Sequence, residues 1–354
     1  MQNVKSVRLI PDYAGKDLVV TLAEIAKRAG VSSAVVSRII NGDKTLRVSA
    51  ETRARVEAIV RDVNYAPNVA AQTLRSSKSG TIAFVVHDVA NPVYGEILRG
   101  AQEEAERQNK ALILGDAAAG NASNSRLAQL IGGGGVDGLI LQAAGMQSDN
   151  LILRAAHQKV PVVQLQADLG MGDHLIQLPD AEAARLATRH LRDLGHRRIG
   201  CLATAQGLTF TEDRLRGWRD VMGEDADPHL IAHCGPTAIE GEAAFKALLD
   251  GQREITGLVC FNVISAVGAL RVARSRNIMV PGDLSIVAIH DVKFARDLWA
   301  PLCVVRMPLA EMGQAAIRTV CGGDAKTPTR TTIAADPELV IRESTAPPQG
   351  QPEA

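Results

Sequence analysis

Thr21-Leu22-Ala23-Glu24 opens a segment whose punctuation leaves few folds available. The T-x-x-E spacing predicts a helix start at which the Thr21 side chain accepts from the Glu24 backbone N–H and Glu24 reaches back to Thr21. Leu22, Ile25, Ala26 and Ala29 then recur at helical spacing and form one apolar face. Gly30 follows where a chain leaving a helix needs a positive φ. Ser32 can cap a second helix running to about residue 40, with Val31, Val35, Val36, Ile39 and Ile40 inward and Ser33, Ala34, Ser37 and Arg38 outward. Asn41-Gly42 ends it, and residues 49–64 read as a third helix with Val56, Ile59, Val60 and Val63 as its buried stripe. Two short helices joined by a tight glycine turn and backed by a third make a helix-turn-helix, which can lay its second helix in a DNA major groove. A three-helix bundle used for protein contacts fits the same pattern.

The 354 residues carry 39 basic and 39 acidic side chains, but the balance is uneven. Residues 1–80 hold 13 Lys/Arg against 7 Asp/Glu, a net of +6, and the rest of the chain holds −6. A basic head on an acidic body suits a chain that meets a polyanion with the head alone. Five dispersed cysteines without C-x-x-C spacing read as reduced thiols of a cytoplasmic protein. No apolar run reaches membrane-spanning length, and no secretory h-region opens the chain.

Beyond a Ser/Lys/Gly-rich linker at 76–80, short apolar runs at 82–86, 111–114, 139–141, 160–165, 199–202, 258–261 and 284–289 alternate with helical stretches at 94–108, 181–194, 239–249, 264–275 and 309–320. Such alternation predicts parallel sheets with helices on both faces, and so many units favour two α/β lobes.

Residues 21–32 and 36–42, together with Val48-Ser49-Ala50-Glu51-Thr52-Arg53, Asn64-Tyr65-Ala66-Pro67-Asn68 and Ala70-Ala71-Gln72-Thr73-Leu74, resemble the head of the lac/gal repressor family in order and spacing. The resemblance decides against the bundle reading. It implies that Ser33, Ala34 and Arg38 occupy base-reading positions, and that Thr21, Ser32, Ser37, Asn41, Tyr65 and Asn68 occupy phosphate or positioning ones. It also implies a hinge helix at 67–75 that orders on DNA, with Leu74 placed to wedge the minor groove open. The partner implied is a pseudo-palindromic double-stranded operator bound by a homodimer.

The resemblance continues to about residue 346 through Val136-Asp137-Gly138, Leu194-Gly195-His196, Gly217-Trp218, Glu311-Met312-Gly313 and Pro337-Glu338-Leu339. It implies the two-lobed fold of periplasmic sugar-binding proteins, and a small-molecule effector, a sugar or derivative, held between the lobes. The expected layout is a leader at 1–20, the helix-turn-helix at 21–66 and a hinge helix with linker at 67–80. The two-lobed domain follows at 81–346, with a disordered tail at 347–354. Lobe 1 is expected at about 81–178 and 308–324, and lobe 2 at about 179–306 and 325–346. The chain would then cross between lobes near Asp180, Met307 and Asp324.

The resemblance implies pocket positions for Asp88, Asn91, Tyr94, Arg214, Asn262, His290 and Asp291, with a core aromatic as the other reading of Tyr94. Four departures weaken the match to a hexose site. Val263 stands for the usual Asp after Asn262, His290 for the first Asp of a pair, Glu212 for a common arginine, and Pro236 for a stacking aromatic. His229, His233 and Cys234 could suggest a metal corner but lack further ligands. Gly132 to Gly135 is a glycine run without a following G-K-[ST], and no G-x-S-x-G is present. The chain therefore reads as a transcription regulator, most simply a repressor of carbohydrate-metabolism genes. No enzyme activity, metal, cofactor or membrane partner is expected.

Overall fold

The computed structural model describes residues 20–43, 45–65, 78–117, 121–171, 174–251, 254–322 and 327–349. Contacts divide the chain into two units, with the boundary between Gln72 and Thr73. The expected leader up to residue 19, and the hinge helix with Asn68 and Leu74, lie outside the described residues.

The head unit holds α1 (Leu22–Ala29), α2 (Ser33–Ile40) and α3 (Ala50–Asp62). Each starts on a hydroxyl: Thr21, Ser32 and Ser49 accept from the backbone N–H three residues on, at 3.3, 3.3 and 3.1 Å. A cap of this kind contributes about 1 kcal/mol. The reciprocal arm of the expected capping box is replaced, because Glu24 takes Arg28 Nε at 3.1 Å instead. Gly30 ends α1 in the left-handed region at φ 67°, which turns the chain sharply into α2. Ile25, Ala26, Ala29, Val36, Ile39 and Val56 form the buried centre. Ile59, Val60 and Val63 pack half-buried against it.

The body unit builds two six-stranded sheets. Lobe 1 contains β1 (Thr81–Val86), α4 (Val93–Arg107), β2 (Ala111–Asp116), α5 (Asn121–Gly132), β3 (Gly138–Gln142), α6 (Gln147–Ala156), β4 (Val162–Leu165) and β5 (His174–Gln177). The chain then crosses to lobe 2: α7 (Asp180–Asp193), β6 (Ile199–Ala203), α8 (Thr209–Met222), β7 (Ile231–His233), α9 (Ala238–Asp250), β8 (Gly257–Cys260), α10 (Val263–Ser275), β9 (Ser285–Ile289) and β10 (Cys303–Arg306). It returns for α11 (Leu309–Cys321) and β11 (Arg330–Thr332), then ends on β12 (Glu338–Val340) in the second sheet.

The sheet orders are β11-β5-β4-β3-β1-β2 and β12-β10-β9-β8-β6-β7. Pairing is parallel throughout except between β10 and β12. The continuous burial of β3, β6, β8 and β9 is what a parallel sheet covered on both faces requires.

The third crossing is not near Asp324. β11 pairs with β5 in the first sheet, Arg330 opposite Leu175, so the crossing falls at 333–337. All three residues of β11 are exposed, and an exposed polar edge strand carries no apolar run to announce it. In open α/β folds ligands bind outside the C-terminal ends of the strands. Leu208 and Phe210 of lobe 2 pack against the lobe 1 cluster that includes Val85, Leu141 and Ala143.

Candidate functional site

In the head, Val36 and Ile39 anchor α2, and the opposite face is left to Ser33, Ala34 and Arg38, all exposed. Ser37 is half-buried and its hydroxyl accepts from the Asn41 amide at 3.4 Å. Tyr65 leans on the head core. Arg38 does not extend freely: its Nε donates to Asp43 Oδ2 at 2.7 Å and its Nη2 donates to Thr45 Oγ1 at 3.0 Å. Asp43 Oδ1 accepts from both the backbone N–H and the hydroxyl of Thr45, at 2.8 and 2.7 Å. With the Thr45 and Arg38 donors bound to it, the Asp43 carboxyl is lowered to about 2.

In the body, the sites proposed from sequence separate. Arg214, on α8 and 2% exposed, is the hub of a polar chain. Its Nε donates to Asp180 Oδ1 at 2.6 Å, its Nη1 donates to the Phe261 carbonyl, and its Nη2 lies 3.1 Å from His290 Nε2. Its guanidinium sits 5.5 Å from the centre of the Phe210 ring. Asp180 Oδ2 accepts from Gln166 Nε2 at 3.0 Å, and Gln166 Oε1 accepts from Leu178 N–H at 2.8 Å. The chain Gln166–Asp180–Arg214–His290 therefore runs from lobe 1, through the first crossing, into lobe 2. Burial pushes the Asp180 carboxyl up, against the pull of Arg214 and Gln166. Burial and the Arg214 charge hold the His290 imidazole well below its ordinary value, so it is neutral.

A neutral His290 that accepts from Arg214 through Nε2 must carry its proton on Nδ1. That nitrogen is buried and has no hydrogen-bond partner. The adjacent Asp291 points elsewhere, held by Arg342 Nη2 at 2.8 and 3.0 Å and by Arg306 Nη2 at 3.0 Å. It lines a groove of about 1150 Å³ at the first turns of α4 and α11. The two neighbours expected side by side in one pocket are thus turned to different partners, His290 to Arg214 and Asp291 to Arg306 and Arg342.

Asp88 and Asn91 shape the β1–α4 loop: Asp88 Oδ1 accepts from Ala90 N–H at 3.0 Å, and Asn91 Oδ1 from Val93 N–H at 3.1 Å. Tyr94, on the first turn of α4, is pushed up to about 12 by burial and by the Asp88, Asp149 and Asp116 charges. Asn262 caps α10, accepting from Ile264 N–H at 2.7 Å, next to the Phe261 carbonyl that holds Arg214. His87, following β1, pairs through Nε2 with the fully buried Asp149 at 2.5 Å, and its Nδ1 is buried without a partner.

Gln166, Asp180, Phe210, Phe261, His87, Asp149, Asp43 and Thr45 were not among the residues proposed from sequence. Asp180, Phe261, His87 and Asp149 reach partners 34 to 62 residues away, whereas Phe210, Asp43 and Thr45 lie within seven residues of the arginine they meet. Among the described residues no group of His, Cys, Asp and Glu could hold a metal ion; His233 instead meets the Thr204 carbonyl at 2.8 Å. No described helix is long and apolar enough to cross a membrane.

Residues 21–68 match the model of bacterial regulatory proteins of the lacI family, and residues 188–345 match a periplasmic binding protein-like domain. The HTH-type transcriptional regulator DegA of Bacillus subtilis (strain 168) is 30% identical over 335 residues, covering 92% of this chain and 98% of DegA. The solved complex of the transcriptional regulator CelR with cellobiose is 27% identical, with a TM-score of 0.68 over 92% of this chain and 99% of that one. The lac repressor dimer bound to operator and the anti-inducer ONPF is 25% identical, with a TM-score of 0.77 over the same shares. With its helix-turn-helix head and two parallel-sheet lobes, this chain belongs to the LacI family of bacterial transcriptional regulators.

Proposed function

We propose that the protein is a homodimeric, cytoplasmic repressor of carbohydrate-metabolism genes that binds a pseudo-palindromic operator and answers to a sugar-like effector held between its lobes. The carrying observation is the face of α2: Ser33, Ala34 and Arg38 stand exposed while Val36 and Ile39 anchor the helix. Small side chains at 33 and 34 let the helix lie close to base edges, and Arg38 is the long cation that reaches guanine O6 and N7. Thr21, Ser32, Ser37, Asn41 and Tyr65 act as phosphate-side positions that set register. The dimeric operator complex of the lac repressor and the cellobiose complex of CelR support the partner classes.

In the body, Arg214, Asn262, His290 and Tyr94 form the effector side of this reading, with Asp88 and Asn91 shaping its rim. Arg214 is spent on Asp180, Phe261 and His290, so it orients the site rather than gripping a ligand anion. His290 presents an N–H where the family resemblance implies a carboxylate, so the ligand atom there is an acceptor oxygen.

A gel-shift titration against the DNA upstream of the protein's own gene tests the reading. The expected result is a sequence-specific band at moderate salt that Arg38→Ala loses and that one member of a sugar and polyol panel shifts. A protein that retards only non-specifically overturns it.

A further inference from the structure

Arg38, Asp43 and Thr45 form a closed ring in which every hydrogen has one consistent direction. The Thr45 hydroxyl has a single proton, and it goes to Asp43 Oδ1 at 2.7 Å. The Thr45 Oγ1 oxygen keeps its lone pairs and with one of them accepts Arg38 Nη2–H at 3.0 Å. The second carboxylate oxygen, Asp43 Oδ2, receives Arg38 Nε–H at 2.7 Å. The Thr45 backbone N–H fixes the carboxylate from a further side at 2.8 Å.

We propose that Asp43 and Thr45 are positioning residues for DNA recognition, which hold Arg38 by its Nε–Nη2 edge and aim its Nη1–Nη2 end at a guanine. The proposal rests on the base-reading role given to Arg38 above. A guanidinium has five N–H donors in a fixed planar fork. The ring takes Nε–H and one hydrogen of Nη2, both on the same side edge. Both hydrogens of Nη1 and one of Nη2 remain, and the free Nη2 hydrogen with one of those on Nη1 makes the end-on pair that matches O6 and N7 of guanine.

The ring also accounts for an acidic side chain sitting beside the recognition helix. A carboxylate next to DNA repels phosphate, so Asp43 costs affinity for every sequence alike. Its return is in discrimination. An exposed arginine on a mobile stem can turn to a phosphate or to another base edge, whereas a clamped one meets the right base without losing further side-chain freedom. Asp43 therefore lowers general affinity and raises the difference between right and wrong sites.

The test uses the full-length protein and the pseudo-palindromic duplex it selects from a random-sequence library. Binding is measured to that duplex, to single-base variants of it, and to unrelated DNA. Arg38→Ala identifies the base pair that Arg38 reads, with a preference loss of roughly ten- to hundred-fold there. Asp43→Ala should lose roughly five-fold at the same base pair and at no other, and should bind unrelated DNA more tightly. Thr45→Val should follow Asp43→Ala in the base preference, while Thr45→Ser, which keeps the hydroxyl, should restore it.

In the Arg38→Ala background, Asp43→Ala should no longer change discrimination at that pair. If Arg38→Ala loses the preference at one base pair and Asp43→Ala keeps it in full, the positioning role fails while the base-reading role stands. If Arg38→Ala leaves every preference unchanged, the base-reading role itself fails. A uniform loss across all duplexes in Asp43→Ala reduces the ring to a brace for the loop and also overturns the proposal.

Discussion

Gly313 of α11 lies so close to Ile97 of α4 that a Cβ on it would stand 2.0 Å from the Ile97 carbonyl oxygen. The contact is mutual, since a Cβ on Gly100 would stand 2.0 Å from the Ala310 carbonyl oxygen. Two helices of lobe 1 thus touch backbone to backbone, and neither contact can yield by rotating a side chain. Gly313→Ala should force the helices apart and cost the body about 3 kcal/mol, the upper end of overpacking penalties. Denaturant unfolding followed by far-UV circular dichroism measures it. A midpoint within error of the parent would mean that the helices slide without cost.

Arg214 and Asp180 form a pair in which both side chains are almost wholly buried. Removing one member leaves the other charge, or its desolvated neutral form, without compensation. Arg214→Met should destabilise the body by about 3–5 kcal/mol, as breaking buried pairs does. Pairing it with Asp180→Leu should recover a large part of that loss, because the orphaned carboxyl is gone. Strictly additive losses in the double-mutant cycle would show that the two do not act as a unit.

The head was legible in the sequence because its signals are local. Thr21, Ser32 and Ser49 each sit three residues before the N–H they cap, and Gly30 lies at the turn it makes. Glu24 shows the limit of such reading: the same carboxylate has two partners within reach, and Arg28 one turn on wins it from the Thr21 N–H. The central strands were legible as apolar runs. α5, α6 and α8 were not expected as helices, and β11 escaped notice because its place is set by pairing with β5. Arg214 was found from its nearness to Gly217-Trp218. Its partners Asp180 and His290 lie 34 and 76 residues away, joined only by the fold.

Acid should weaken the body before its ordinary carboxylates titrate. His290 is held neutral in the folded state, while an unfolded histidine takes up a proton near pH 6.5. As pH falls below that value the unfolded chain gains a proton that the native site refuses. Stability from His290 is therefore whole above pH 6.5 and lost below it, by up to about 1.4 kcal/mol per pH unit. His196, also depressed by burial, contributes with the same sign, and Asp180, raised by burial, opposes at lower pH. His290 has φ 76°, a conformation asparagine tolerates, so His290→Asn isolates the effect. Unfolding free energies between pH 7 and 5 should fall less steeply in the variant. Equal slopes would assign the loss to other groups.

Ser32 separates holding the recognition helix from holding DNA. Its oxygen accepts the Val35 N–H at 3.3 Å, and its hydroxyl hydrogen remains to meet a phosphate. Ser32→Ala should cost the head about 1 kcal/mol through the lost cap and weaken binding to operator and unrelated DNA by the same factor. Ser32→Asp keeps a good cap and adds a charge that suits a helix N-terminus, so the head should stay folded. On DNA the same carboxylate faces a phosphate, and affinity should drop at least roughly ten-fold for every sequence, with the base preference profile unchanged. A Ser32→Asp protein that binds as tightly as the parent would place this residue away from the DNA backbone, and with it the docking of α2 described above.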